Sequence, residues 1–455
     1  MKQAGAVDPG AGNGGAGEHK ETMATYAIDF ETYYSASCTV ASGIHNYTSH
    51  PEFECYLVSI AGPGAGYCGP PEDAPWDLVG GQGNTWVSHN RAFDMGVMNA
   101  MAAKGAAWAA CPRPRHWHCS MDLASWSGAP RSLANAAREV LGATVDKSPR
   151  DRMKGVRWRD LDETGKEAMR AYALGDARTC LALWDALSPS WPEQERRLSF
   201  LTATMGMRGL PVDAGRIDES CGRMRDRVFE ARKGVPWAGD EPVLSHKALA
   251  GACRKAGIPC PVSLAMDSPE CEQWEDRYGD AYPWVAAMRD YRRANILVRR
   301  LEAMKARTKP DGFMEYPLKY FGAFTGRWSG GDGGAGGNDG SFNAQNLPRG
   351  ELLGVNMRSL VRAPEGSMLV VADLGQIEPR VLAVLSGDSR FLELVAGGTD
   401  PYEAHARAHM GYDDPRPLRE TDPRLRSVAK MRTLLLGYQG GAAKFRSACA
   451  ASGLD

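Results

Sequence analysis

The chain lacks any C-x-x-C pair, which argues against a ribbon-type zinc site. Its eleven cysteines are odd in number and scattered from Cys38 to Cys449, a usage that fits reduced thiols better than a disulfide framework. The densest group of potential metal ligands is Cys111, His116, His118 and Cys119, and its tight H-x-H-C order departs from finger spacing. No window of about 18 uninterrupted apolar residues occurs, and no apolar core of a signal peptide stands at the N-terminus. A cytoplasmic location is therefore expected, with no membrane partner. An excess of one charge is missing too, the formal net charge being −1. That value does not advertise a nucleic-acid binder, but it averages over domains and can conceal opposed patches.

What is present points to a globular chain of several domains. Its 455 residues are 43% apolar and 24% charged, too many for one ordinary core. Residues 1–22 are rich in Gly and Ala and read as a disordered tail, with Met23 an alternative start. The run TYAIDFETYY from Thr25 reads as a strand, and helical periodicity dominates from Ser132 to Leu187 with a polar interruption at 148–152. An α/β domain over 23–188 is expected. From Glu193 to Lys309 the pattern is helical, with a break at Gly209–Asp213 and proline-bearing joints at 236–242 and 259–261. A glycine-dense loop follows at Ser329–Gly340, then an apolar strand at Met368–Ala372 and further helices. The fold class is thus α/β and α+β, multidomain.

The first chemical constellation lies in the α/β domain. Asp29 and Glu31 stand two apart at the end of an apolar strand, so both carboxylates point to one side of the sheet. HNRAFD supplies Asp94, and YALGD places Tyr172 four residues before Asp176 on one helical face. Together these segments resemble the three exonuclease motifs of the DEDD superfamily in its tyrosine-bearing form. The resemblance implies an RNase H-like 3′→5′ exonuclease acting on single-stranded DNA 3′ ends. It assigns Asp29, Glu31, Asp94 and Asp176 as ligands of two Mg²⁺ ions, which Mn²⁺ can replace, and Tyr172 as the group orienting the attacking water. Asn90 and Phe93 are expected to position the terminal nucleotide. Hard oxygen donors suit such a cation.

A second constellation begins at FGAFTGRWSG and continues after the glycine loop as FNAQNLPRG. The pair resembles the segment of family A DNA polymerases that follows the minor groove of primer-template DNA, with Arg327, Gln345 and Asn346 expected to touch DNA. Minor-groove acceptors are nearly sequence-blind, as copying any template requires. Between Arg289 and Lys309 eight basic residues face only Asp290 and Glu302. A basic helix is ordinarily a solvated face. Beside these motifs it reads as a thumb helix gripping phosphates through Arg292, Arg293, Arg299 and Arg300.

VVADLGQIEPRVLAVLSGD resembles polymerase motif A, and RSVAKMRTLLLGYQGG resembles motif B in a phage-like form. The resemblance makes Asp373 a ligand of both catalytic Mg²⁺ ions. It places Gln376 and Glu378 beside the incoming dNTP, Glu378 under its sugar, and Arg426 and Lys430 on the triphosphate, Lys430 also protonating pyrophosphate. Leu434 stands where an aromatic residue usually stacks, and Tyr438 near the templating pair. Arg426, Lys430 and Tyr438 are expected on one helical face. The sequence departs from the usual pattern at Leu374, Gly375 and Pro379.

The His-Asp-Glu hairpin of such polymerases does not occur in the sequence. A truncated or interrupted gene product, or one half of a split polymerase completed by a second polypeptide, is expected, with primer extension by this chain alone not anticipated. The domains expected are a tail (1–22), the exonuclease (23–188), a palm lead-in and helical thumb (189–318), the palm (319–412) and the start of the fingers (413–455). Two alternatives stand beside a replicative polymerase with proofreading. They are a stand-alone 3′→5′ exonuclease and an inactive remnant that binds primer-template DNA.

Overall fold

In a computed structural model, residues 24–265, 268–323, 325–331, 342–451 and 453–454 are described. The expected tail and most of the glycine loop lie outside them. The chain divides into two compact units between Ser367 and Met368, within the segment expected to form the palm.

The first unit opens with a five-stranded sheet in the order β3-β2-β1-β4-β5. Its strands are β1 (Thr25–Thr32), β2 (Cys55–Gly62), β3 (Ala65–Gly69), β4 (Thr85–Ser88) and β5 (His116–Cys119). The pairs β1–β2 and β2–β3 are antiparallel, whereas β1–β4 and β4–β5 are parallel. The central β1 has both faces covered. Tyr26, Ile28 and Phe30 pack with Trp86, Val97 and Met98, the latter two from helix α1 (Arg91–Ala103). Ala27, on the opposite face, packs with Ala177, Cys180 and Trp184 of helix α2 (Glu163–Leu187). The period-2 alternation of a strand therefore sends Asp29 and Glu31 to the α2 side. The expected polar interruption is wider than its sequence suggested: α2 begins only at Glu163, and the short helix Ser148–Asp151 lies between loops.

Helix α3 (Glu193–Arg208) ends at Gly209, and the chain crosses to helix α4 (Ala214–Lys233), as the Gly209–Asp213 break anticipates. Gly209 has φ +90°, and a Cβ there would stand 2.5 Å from the Met314 carbonyl oxygen. The position thus needs glycine both for its left-handed backbone and for close approach. Helix α5 (Pro283–Arg307) runs antiparallel to α4, with Ile217, Cys221 and Met224 packed in one core with Leu297, Leu301 and Met304. Three ion pairs line the seam: Arg225–Glu302, Arg227–Asp290 and Lys305–Asp218.

The basic helix needs correction. Arg289 is buried and pairs with Glu275, and Arg293 clamps both oxygens of the same carboxylate at 2.7 and 2.6 Å. Their charge is spent inside the unit, because Glu275 projects from the neighbouring helix Pro269–Tyr278. Arg292 is half-buried and turns its Nε inward, Arg300 is half-buried, and Arg299 is exposed.

The second unit is helical: α6 (Ile377–Ser386), α7 (Ser389–Ala396), α8 (Pro401–His409) and α9 (Pro423–Met431) are its main elements. Ala383, Phe391, Val395 and Ala404 form one small core, and Tyr402, Ala406, Leu418 and Ala429 another. The strand expected at Met368–Ala372 does not form. A strand needs a ladder partner, and among the described residues none pairs with this segment, whose Val370 and Val371 are 85% and 91% exposed. The single helical face expected for motif B is also corrected. α9 stops at Met431, a π-helical turn occupies Arg432–Leu436, and Tyr438 lies beyond it. The wider turn breaks the 3.6-residue phase that would have aligned Tyr438 with Lys430.

Candidate active sites

Strand β1 and helix α2 assemble the first site. Asp29 and Glu31 face Tyr172 and Asp176, which stand one turn apart on α2. Asp94 enters from the first turn of α1, where its Oδ1 accepts the backbone N–H of Phe30 at 3.1 Å. Sheet alternation, helix pitch and a side-chain-to-backbone bond thus bring together four carboxylates from three distant segments.

Their electrostatics report that proximity. Burial, then the Asp176 carboxylate, pushes the Asp29 carboxyl up to about 7. Burial and Asp29 hold both Glu31 and Asp94 well above the usual carboxylate range. The Tyr172 phenol is raised by burial and by the charges of Glu31 and Asp176. Several negative groups crowded into low dielectric are costly unless a cation joins them. Asp176, buried to 6% exposure, leaves Oδ1 without a hydrogen-bond partner. This orphaned oxygen and the all-oxygen donor set suit a hard divalent cation. As the side chains stand, no three Asp, Glu, His or Cys groups among the described residues close around one ion.

Two basic residues missed at the sequence level complete the cluster. Lys147 Nζ lies 2.9 Å from Asp176 Oδ2 and 3.4 Å from the Tyr172 hydroxyl, and over the Tyr172 ring at 5.4 Å. The Arg150 charge lowers Asp29 and Glu31 against their burial. Nothing in the pattern TVDKSPRD signals either role, since both lie in a polar connection whose path is a tertiary property.

Asn90 precedes α1 with φ 156° and ψ 57°, a conformation rare outside glycine. With Phe93, Met121, Arg131, Thr202 and Tyr316 it lines a cavity of about 280 Å³. Behind it His89 is held neutral: burial lowers its pKa to about 4, Nε2 donates to the Arg131 carbonyl, and Nδ1 accepts from Ser120.

Elsewhere in the first unit, Arg327, Gln345 and Asn346 are all exposed. Gln345 braces the small hairpin Leu318–Lys319/Ser329–Gly330: its Oε1 accepts from Gly330 N at 2.8 Å and its Nε2 donates to the Trp328 carbonyl at 3.3 Å. The Gln345 amide is thus engaged with its own backbone.

In the second unit Asp400 organises the motif residues. Oδ1 caps α8 by accepting from Tyr402 N and Glu403 N, while Oδ2 receives Arg426 at 3.2 Å and Gln376 Nε2 at 3.4 Å. The Arg426 guanidinium also lies 5.3 Å over the Tyr402 ring. Gln376 adopts a left-handed backbone at the start of α6. Asp373, Lys430 and Tyr438 are exposed, Glu378 is half-buried, and Leu434 packs against the core around Tyr402. Asp400 and Tyr402 were not singled out from sequence; the Asp-Pro pair opening a helix was the available signal.

Residues 269–451 match the family profile described as DNA polymerase family A. The chain is 26% identical over 484 aligned positions to the DNA polymerase of Bacillus phage SP02, covering 92% of this chain and 70% of that one. A stretch of 88 residues is 39% identical to the thermostable DNA polymerase I of Thermus aquaticus, 19% of this chain and 10% of that protein. Among solved structures, the POL domain of Pol1 from M. smegmatis, in complex with DNA primer-template and dNTP, is similar in fold. The TM-score is 0.60 at 17% identity, over 95% of this chain and 70% of that one.

Proposed function

We propose that the chain, whose residues 269–451 match DNA polymerase family A, is a polymerase of that family whose first unit carries a 3′→5′ proofreading exonuclease and whose second unit carries the dNTP-binding part of a polymerase site. The observation carrying the nuclease reading is the convergence of Asp29, Glu31, Asp94 and Asp176 with Tyr172. The sheet order β3-β2-β1-β4-β5, with three antiparallel strands leading and parallel strands following, fits an RNase H-like domain.

Two Mg²⁺ ions, when bound, would supply Lewis acidity that stabilises charge on the attacking and leaving oxygens. Asp29, Glu31, Asp94 and Asp176 would hold them. The Tyr172 hydroxyl, able to donate and accept, orients the water. Asn90 and Phe93, on the cavity wall, position the terminal nucleotide of a single-stranded 3′ end. In the second unit Arg426, fixed by Asp400 and Tyr402, and Lys430, exposed one turn on, bind the triphosphate. Gln376, Glu378, Leu434 and Tyr438 line the nucleotide's sugar and base, and Asp373 is a metal ligand there. Arg327, Gln345 and Asn346, with the exposed Arg299, serve the primer-template.

One gel tests both halves. With Mg²⁺, the purified chain should shorten a 5′-labelled single strand from its 3′ end, and Asp29→Ala or Asp94→Ala should abolish this. Undiminished degradation by both variants overturns the assignment. With primer-template and dNTPs, Asp373→Ala should remove whatever extension the chain supports, alone or with an added polypeptide.

A further inference from the structure

Lys147 and a divalent cation have the same target. The ammonium lies 2.9 Å from Asp176 Oδ2, within the cluster resembling an exonuclease metal site, and within reach of the Tyr172 hydroxyl. Its charge is felt further, lowering Asp29 and Glu31 against their burial. The ammonium is not sealed in: the Lys147 side chain is 31% exposed, whereas that of Asp176 is only 8% exposed. A partly exposed lysine on a polar connection can withdraw to water at small cost, while a buried aspartate on a helix cannot follow it.

We propose that Lys147 is a placeholder cation, a positioning residue that neutralises Asp176 in the metal-free site and must leave it for the metal to bind. The proposal rests on the nuclease reading above. It accounts for the partner that the buried Asp176 Oδ2 finds beside three further carboxylates, while Asp176 Oδ1 is left without one. Competition for one carboxylate is reciprocal, so the lysine must lower metal affinity by the factor that metal lowers the occupancy of its ion pair. The device would keep the site folded while metal is scarce and release a positive side chain at the mouth of the site when metal enters.

The test is Mn²⁺ binding by the full chain, read from the electron paramagnetic resonance signal of free Mn²⁺ with no DNA present. Lys147→Met and Lys147→Gln should each bind Mn²⁺ on the order of fivefold more tightly than wild type, and Lys147→Arg, which keeps the charge, should restore weak binding. Arg150→Met removes an equal charge that makes no ion pair with Asp176, and should tighten binding less than Lys147→Met. Unchanged or weaker affinity in both neutral Lys147 variants, or equal tightening by Arg150→Met, overturns the proposal. Asp29→Ala separates the two levels. If it binds Mn²⁺ as wild type does, the metal-site reading itself fails. If it loses binding while the Lys147 variants match wild type, only the placeholder fails.

Discussion

At the scale of single residues, the raised carboxylates predict how the metal-free protein responds to pH. Asp29 titrates at about 7 in the fold against an ordinary 3.8, so the folded state binds more protons than the unfolded chain between these values. Stability is then greatest below the ordinary pKa and falls as pH rises toward 7. Glu31 and Asp94 shift in the same direction. Thermal melts in a chelator should therefore give a lower Tm at pH 8 than at pH 5, and Asp29→Asn should flatten the difference. A Tm that rises over this interval contradicts the burial of these groups as charges. Tyr172→Phe keeps the ring and removes the hydroxyl, so exonuclease turnover should drop on the order of 10- to 100-fold, with Mn²⁺ affinity near that of wild type.

At the scale of elements, Gly209 carries a sharp expectation. Ala there would hold a side chain at positive φ and press its Cβ to 2.5 Å from the Met314 carbonyl. Gly209→Ala should cost about 1–3 kcal/mol of stability, measured by denaturant unfolding, whereas Gly128→Ala, with open space around its Cβ, bears only the backbone strain. The α4–α5 pair derives its hold from apolar packing more than from its charged seam. Exposed pairs such as Arg225–Glu302 contribute little, being screened by solvent, whereas Leu301→Ala, in a fully buried position, should cost about 2–5 kcal/mol. A loss larger for Arg225→Ala than for Leu301→Ala would reverse that ranking.

At the scale of the whole molecule, the connection between the units is the place to cut. Residues 364–375 form no helix or strand, and Val370, Val371 and Leu374 are 73% or more exposed. Limited proteolysis should nick this stretch first, leaving a fragment that retains the sheet and α2 and with them the proposed exonuclease site; first cleavage within 91–103 or 163–187 would contradict the division. No helix among the described residues is long and apolar enough to cross a membrane.

The residues of the nuclease-like cluster were legible because local rules suffice for each. A period of two places Asp29 with Glu31, a helical turn places Tyr172 with Asp176, and an apolar β1 must be central. Motif A was legible as a string of residues and not as a shape: Met368–Ala372 has strand composition, but pairing is supplied by a partner and not by propensity. The same limit hid Arg293, whose charge reads as a phosphate contact until Glu275 is seen across the helix pair, and Lys147, whose loop carries no periodicity to aim it. Local periodicity and residue chemistry thus dictated which side chains could share a face. Ion pairs across long sequence separations, the π-turn that displaces Tyr438, and the lysine on Asp176 depend on where loops and helices come to rest, which is settled only by the packing of the folded chain.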